Sequence, residues 1–140
     1  MNRIAGINTN QEMITNALKN DMGIHHIVFT ILNAIETEKF YTKIFGNPLF
    51  ANATTSIYKV GQTMLIFMEK ETQSLSRFDP STIGLDHVAF GLKDLTQLEE
   101  IEQVLNIENI QHSGIHIDSS SKKEKIWLND PSNIRVEFYL

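Results

Sequence analysis

The sequence predicts an α+β fold built from two tandem βαβββ modules. Three observations predict it: a strand-like segment occurs twice, each copy is followed by a helical pattern, and each helix gives way to short strand-like runs separated by turn residues. Gly23-Ile24-His25-His26-Ile27-Val28-Phe29-Thr30-Ile31 lies over Gly84-Leu85-Asp86-His87-Val88-Ala89-Phe90-Gly91-Leu92. Gly, His and Phe are identical, and the offset from His26 to His87 is 61 residues. A repeat constrains architecture more firmly than local propensity does, because each copy is one supersecondary unit.

The elements follow in order. Residues 1–22 form an N-terminal extension in which 12–18 reads as a short helix. The first module spans residues 23–77. Its opening strand is short and rich in β-branched and aromatic residues. Phe40 with Ile44 and Tyr41 with Phe45 then make i,i+4 pairs, and Gly46 is a natural helix stop. Strands are expected at 49–53, 56–60 and 64–69, with Gly61-Gln62 as a hairpin turn.

Residues 78–83, with Pro80, read as a linker, and residues 84–140 as the second module. There Leu95, Leu98, Ile101, Val104 and Leu105 recur at helical spacing behind Asp94, a plausible N-cap. Strands are expected at 110–117, 125–128 and 134–140. The turn Asp130-Pro131-Ser132-Asn133 contains an asparagine able to adopt the left-handed conformation.

Composition narrows the function. The 140 residues are 41% apolar, enough for one core shared by two half-domains. Seventeen acids against twelve bases give a net charge of −5, and the longest basic run is Lys122-Lys123. Nucleic acid is therefore not the expected partner, since phosphate neutralisation needs clustered Lys and Arg. Cysteine is absent, which excludes thiolate metal sites, disulfides and a cysteine nucleophile. With neither a signal-type apolar core nor a stretch of about 18 apolar residues, a cytoplasmic protein that does not enter membranes is expected.

Strand alternation sorts the side chains, because residues two apart share a face. His26, Val28 and Thr30 oppose Ile27, Phe29 and Ile31; His87, Ala89 and Gly91 oppose Val88, Phe90 and Leu92. Each heavier apolar face should pack on the helix of its own module, leaving the histidine face less crowded. In the last strand Arg135, Glu137 and Tyr139 oppose Ile134, Val136, Phe138 and Leu140. A single strand histidine is usually just half-buried and hydrogen-bonded. Two at repeat-equivalent positions, with a carboxylate on a β-branched strand that needs a partner when buried, favour a metal ion. Two imidazoles and a carboxylate suit one divalent Fe, Mn, Ni, Co or Zn ion with positions open to substrate.

His26-Ile27-Val28-Phe29, the helix end Phe40-Tyr41-Thr42-Lys43-Ile44-Phe45-Gly46, Asp86-His87-Val88-Ala89-Phe90 and the closing Asp130-Pro131-Ser132-Asn133-Ile134-Arg135-Val136-Glu137-Phe138 resemble the vicinal-oxygen-chelate superfamily of glyoxalases, bleomycin-resistance proteins and extradiol dioxygenases. The resemblance covers residues 23–140. It implies that each module forms half of a curled, mostly antiparallel glyoxalase-like sheet, with a metal in the cavity between paired modules. His26, His87 and Glu137 carry over as its ligands. It further implies a metal-dependent lyase or isomerase that chelates vicinal oxygens of a small substrate, and a homodimer. The alternatives are a small-molecule binding protein of the bleomycin-resistance type, or a small dioxygenase.

The fourth ligand position falls within residues 64–69. If it aligns with Ile66 or Phe67 the site has three ligands; if Glu69 reaches inward it has four. Glu69, Tyr139 and His112 are the candidate catalytic residues around the metal. Tyr139 and Arg135 share the face of Glu137 and can meet its free oxygen or an anionic substrate. His112 and His116, four apart, are expected on one strand face, near the substrate or simply hydrogen-bonded. Trp127 can wall the cavity.

Overall fold

The structure, a computed structural model, describes residues 9–71 and 76–140. Residues 1–8 of the expected N-terminal extension and 72–75 of the expected first module lie outside the described residues. Helix α1 (Thr9–Asp21) is longer than the short helix expected, and its Met13 and Leu18 are exposed. Strand β1 (His26–Ile31) leads into helix α2 (Ala34–Phe45), then β2 (Phe50–Ala51), β3 (Thr55–Val60) and β4 (Thr63–Glu69). Strand β5 (His87–Gly91), helix α3 (Leu95–Ile107), β6 (His116–Ile117), β7 (Glu124–Asn129) and β8 (Arg135–Tyr139) repeat the pattern. Among the described residues no helix is long and apolar enough to cross a membrane.

Capping explains where the two long helices begin. Asn33 Oδ1 accepts from the Glu36 N–H at 2.9 Å, and Asp94 Oδ1 accepts from the Gln97 N–H at 3.1 Å, each satisfying an otherwise orphaned donor. Helix α2 stops at Gly46, whose φ of 77° suits a residue without Cβ while its N–H reaches Thr42 O.

Each module forms a four-stranded sheet, with orders β1-β4-β3-β2 and β5-β8-β7-β6. The first and last long strands pair in parallel and the remainder antiparallel. The α+β class and the twofold module plan are those the repeat called for. The strand expected at 110–117 is different: only His116–Ile117 and a lone bridge at His112 pair. Gly114 takes φ 72°, and side chains replace the ladder. His112 Nδ1 accepts from Gly114 N–H, Glu102 Oε1 from Ile115 N–H and Ser113 Oγ from Trp127 N–H. The positive φ also breaks the alternation that had put His112 and His116 on one face. The strand expected at 49–53 is reduced to two residues.

The buried faces meet in one core. Phe29, Tyr41, Tyr58, Leu65 and Phe67 come from the first module, and Leu98, Leu105, Ile126, Leu128, Val136 and Phe138 from the second. Phe67 stacks on Tyr41 at 4.2 Å and on Phe29 at 4.8 Å. Helix α2 does not serve its own sheet alone. Phe45 of α2 packs at 5.4 Å on Phe90 and at 6.4 Å on Phe138, across the module boundary. The apolar faces are thus turned toward the helices and toward each other, which leaves the histidine faces outward.

Candidate metal centre

Register decides which side chains share the histidine faces, since paired residues on neighbouring strands point the same way. In the second sheet His87 pairs with Arg135, Ala89 with Glu137 and Gly91 with Tyr139, while Trp127 pairs with Glu137 and Lys125 with Tyr139. His87, Arg135, Glu137, Tyr139, Trp127 and Lys125 therefore form one surface. In the first sheet His26 pairs with Met64, Val28 with Ile66 and Thr30 with Met68. Val28 and Ala89 are repeat equivalents, so Ile66 occupies the place that Glu137 holds in the second sheet. Where one face has a carboxylate at its centre, the other has Val28, Ile57 and Ile66 there, flanked by His26, Thr30, Thr55 and Lys59, and Val28 is 46% exposed on it.

The structure brings His87 and Glu137 together. Glu137 is buried, its side chain only 4% exposed, and its Oε2 lies 3.6 Å from His87 Nε2. On the other side of the ring, His87 Nδ1 is 2.7 Å from Asp86 Oδ1. An ionised carboxylate can only accept, so Nδ1 donates to Asp86 and Nε2 is the nitrogen left on the Glu137 side. At 3.6 Å the Nε2–Oε2 gap is too long for a hydrogen bond. The gap suits an ion: tetrahedral donors about 2.0–2.1 Å from a metal lie roughly 3.4 Å apart. A carboxylate holding the far nitrogen is also the arrangement that orients metal-bound histidines.

His26 lies on the other sheet, and among the described residues no three His, Asp or Glu side chains gather closely enough to hold one ion. Its Nδ1 is 2.8 Å from His25 Nδ1. His25 and Asp86 are repeat equivalents, so in both modules the preceding residue holds Nδ1 and leaves Nε2 available. Adjacency in the repeat was the signal for Asp86, which sequence reasoning did not single out.

Glu69 does not turn toward the histidine face. It pairs with Ile31, on the opposite side from His26, and its Oε2 accepts from the Ala34 N–H at 2.8 Å at the start of α2. His112 is engaged at the end of α3, with Nδ1 accepting from Gly114 N–H and Nε2 donating to Asn106 Oδ1 at 3.0 Å. It borders a hollow of about 230 Å³ with Gln111, Trp127 and Asn129, beside the Glu137 face. His116 Nδ1 donates to Gly114 O at 3.0 Å. Tyr139 stays on the Glu137 face, its hydroxyl 2.7 Å from Ser121 Oγ.

Lys125 was not foreseen. Its Nζ lies 3.4 Å from Glu137 Oε2 and 3.2 Å from Asp118 Oδ1. Burial opposes the charge on Lys125, but the hydrogen bond to Asp118 and the field of Glu137 outweigh it and hold its pKa above the ordinary lysine value. The Ser121 N–H foremost, then the Tyr139 hydroxyl, with Lys125 adding to them, hold the Asp118 carboxyl well below the usual carboxylate range. The register Lys125 to Tyr139, two residues from Glu137, was the signal available for it.

No protein-family model and no curated protein matches the chain. Solved structures do. A glyoxylase/bleomycin resistance protein/dioxygenase domain from Frankia sp. EAN1pec is 22% identical over 85% of this chain and 97% of its own, with a TM-score of 0.72. A glyoxalase family protein from Enterococcus faecalis is 24% identical over 86% and 99%, at 0.70. A lactoylglutathione lyase from Agrobacterium tumefaciens is 21% identical over 84% and 92%, at 0.64. At such identity the likeness is one of fold, and the paired modules of this chain have the vicinal-oxygen-chelate fold.

Proposed function

We infer that this protein is a glyoxalase-like metal-dependent enzyme, a lyase or isomerase in which His26, His87 and Glu137 hold one divalent ion. The observation that carries the reading is His87 Nε2 facing the buried Glu137 Oε2 at 3.6 Å, with the ring fixed from behind by Asp86. When bound, the ion supplies Lewis-acid stabilisation of negative charge on two neighbouring oxygens of a small substrate. Ile66 at the remaining ligand position favours three protein ligands over four. Asp86 keeps the His87 proton on Nδ1, and Trp127 walls one side of the site.

The third ligand comes from a second copy of the chain in this reading. His26 faces outward on a sheet apart from Glu137, among the partly exposed Val28, Ile66 and Met68, so a homodimer joining the two kinds of face completes the site. Metal analysis of untagged protein is expected to give about one Fe, Mn, Ni, Co or Zn per chain, and light scattering a dimer. Metal content well below one per chain, unchanged after incubation with each of these ions, overturns the proposal.

One observation favours a second reading, a small-molecule binding protein of the bleomycin-resistance type. Lys125 already gives Glu137 a cationic partner at 3.4 Å, so the carboxylate is compensated without a metal. The same metal analysis separates the two.

A further inference from the structure

Arg135 pairs with His87 and shares the face of Glu137. Its guanidinium lies over the Trp127 ring, 4.0 Å from the centroid, and the Trp127 backbone is tied down by Ser113 Oγ at 3.0 Å. Every other charge in this cluster has an opposite partner: Lys125 has Asp118 and Glu137, and His87 has Asp86. Arg135 differs. Among the described residues its guanidinium meets no carboxylate within 4.0 Å and no hydrogen-bond acceptor, although the side chain is half-buried.

A guanidinium whose carbon lies 4.0 Å over an aromatic ring has that side covered by the ring and, with no acceptor beside it, N–H groups left to bind. Those groups match the two oxygens of a carboxylate, which they bind in bidentate fashion. The spacing is also suggestive of scale. Residues two apart on one strand are roughly 6.6 Å apart, so a carboxylate on Arg135 and oxygens reaching toward Glu137 fit a molecule about as long as a substituted benzene ring.

We propose that Arg135 is the carboxylate-binding residue of this face, and that the small molecule taken there bears a carboxylate in addition to the oxygens directed at the metal. The substrate class is thus an oxygenated carboxylic acid rather than a neutral dicarbonyl or diol. This rests on the metal reading above for the role of the second group, whereas the placement of Arg135 over Trp127 needs neither metal nor second copy.

The test compares 3,4-dihydroxybenzoate with catechol, which present the same vicinal oxygens with and without the carboxylate. Titration calorimetry is run on full-length wild type, R135Q and R135K, with and without Mn(II). Wild type is expected to bind the acid at least tenfold more tightly than catechol, a preference that R135Q removes while Mn(II) affinity stays the same. R135K keeps the charge but not the planar fork, and is expected to lose at least threefold of the preference; it also serves should R135Q fold poorly. No preference in wild type, an unchanged preference in both variants, or tighter binding of inorganic phosphate than of the acid overturns the proposal. If neither Mn(II) nor Fe(II), Ni(II), Co(II) or Zn(II) binds, the metal reading fails, and the metal-free titrations still decide whether Arg135 selects the carboxylate.

Discussion

The Tyr41 hydroxyl donates to Asp130 Oδ2 at 2.9 Å, joining α2 of the first module to the turn between β7 and β8 of the second. Asp130 Oδ1 meanwhile accepts from the N–H groups of Ser132 and Ile134, so one buried carboxylate organises the turn and anchors the neighbouring module. Burial first, and then the field and hydrogen bond of Asp130, push the Tyr41 hydroxyl well above the ordinary tyrosine value. Tyr41→Phe leaves a buried carboxylate oxygen without its donor. It is expected to cost about 1–3 kcal/mol, measured by urea denaturation at neutral pH.

Burial also raises the Asp130 pKa above its ordinary 3.8, against the pull of its hydrogen bonds. The folded protein then retains a proton that the unfolded chain has released, so stability falls as pH rises from 3.8 through the raised value and the loss is complete above it. Asp130→Asn removes this titration while keeping an acceptor for the turn. The stability of wild type relative to Asp130→Asn should therefore decline across that window, as read from urea midpoints at successive pH values. A difference that grows with pH contradicts the assignment.

Glu69 separates a structural from a metal role. Its carboxylate accepts from the Ala34 N–H at the start of α2, where a negative charge also complements the helix dipole. Glu69→Ala should cost about 0.5–2 kcal/mol, the usual range for losing a helix cap. Metal stoichiometry should be unaltered. A fall in bound metal without loss of stability would return Glu69 to the ligand set.

The repeat made the two sheets legible, and alternation made the faces legible, because both depend on side-chain periodicity. His87 and Glu137 could be put together for the same reason: they lie on neighbouring strands of one sheet, and Glu137 sits in the register of Ala89, two residues on from His87. The relation of His26 to that pair was not legible. It depends on how two separate sheets are oriented, and the cross-module packing of Phe45 on Phe90 and Phe138 settles that through shapes no periodicity encodes. Whether Glu69 reaches inward stayed open in the sequence because its register against Ile31 is set by tertiary pairing. The stretch around His112 failed as a strand because Gly114 adopts a positive φ, a state that glycine permits but does not announce.

In the proposed metal site Asp86 positions His87, its Oδ1 2.7 Å from His87 Nδ1. Removing its carboxylate frees the ring to rotate and to change tautomer, and losing such a partner typically costs 10–100-fold in metal affinity. Asp86→Ala is expected to weaken Mn(II) binding by about that factor, and His87→Ala to weaken it further. Both should keep the wild-type far-ultraviolet circular dichroism, since both side chains lie on an exposed part of the sheet. Unfolding of His87→Ala, with no metal binding in wild type, would mark the histidine as structural.

In the proposed metal site an ion would compete with Lys125 for the same oxygen of Glu137, which makes Lys125→Met a sharp discriminator. Without metal, the variant leaves a buried carboxylate with no cation beside it, apart from a protonated His87. Breaking a buried pair is costly, and with Lys125 partly exposed the loss should be roughly 1–3 kcal/mol at pH 7. Asp118 stays ionised to low pH, so it adds a second carboxylate to the imbalance. A divalent ion restores the missing charge and, at a hundredfold excess over its Kd, stabilises the fold by about 2.7 kcal/mol. Mn(II) should therefore raise the melting temperature of Lys125→Met more than that of wild type, because binding no longer has to displace an ammonium group. Equal rises would mean that the ion binds without displacing Lys125 from Glu137, and no rise with Mn(II), Fe(II), Ni(II), Co(II) or Zn(II) would leave Lys125 as the resident partner of Glu137.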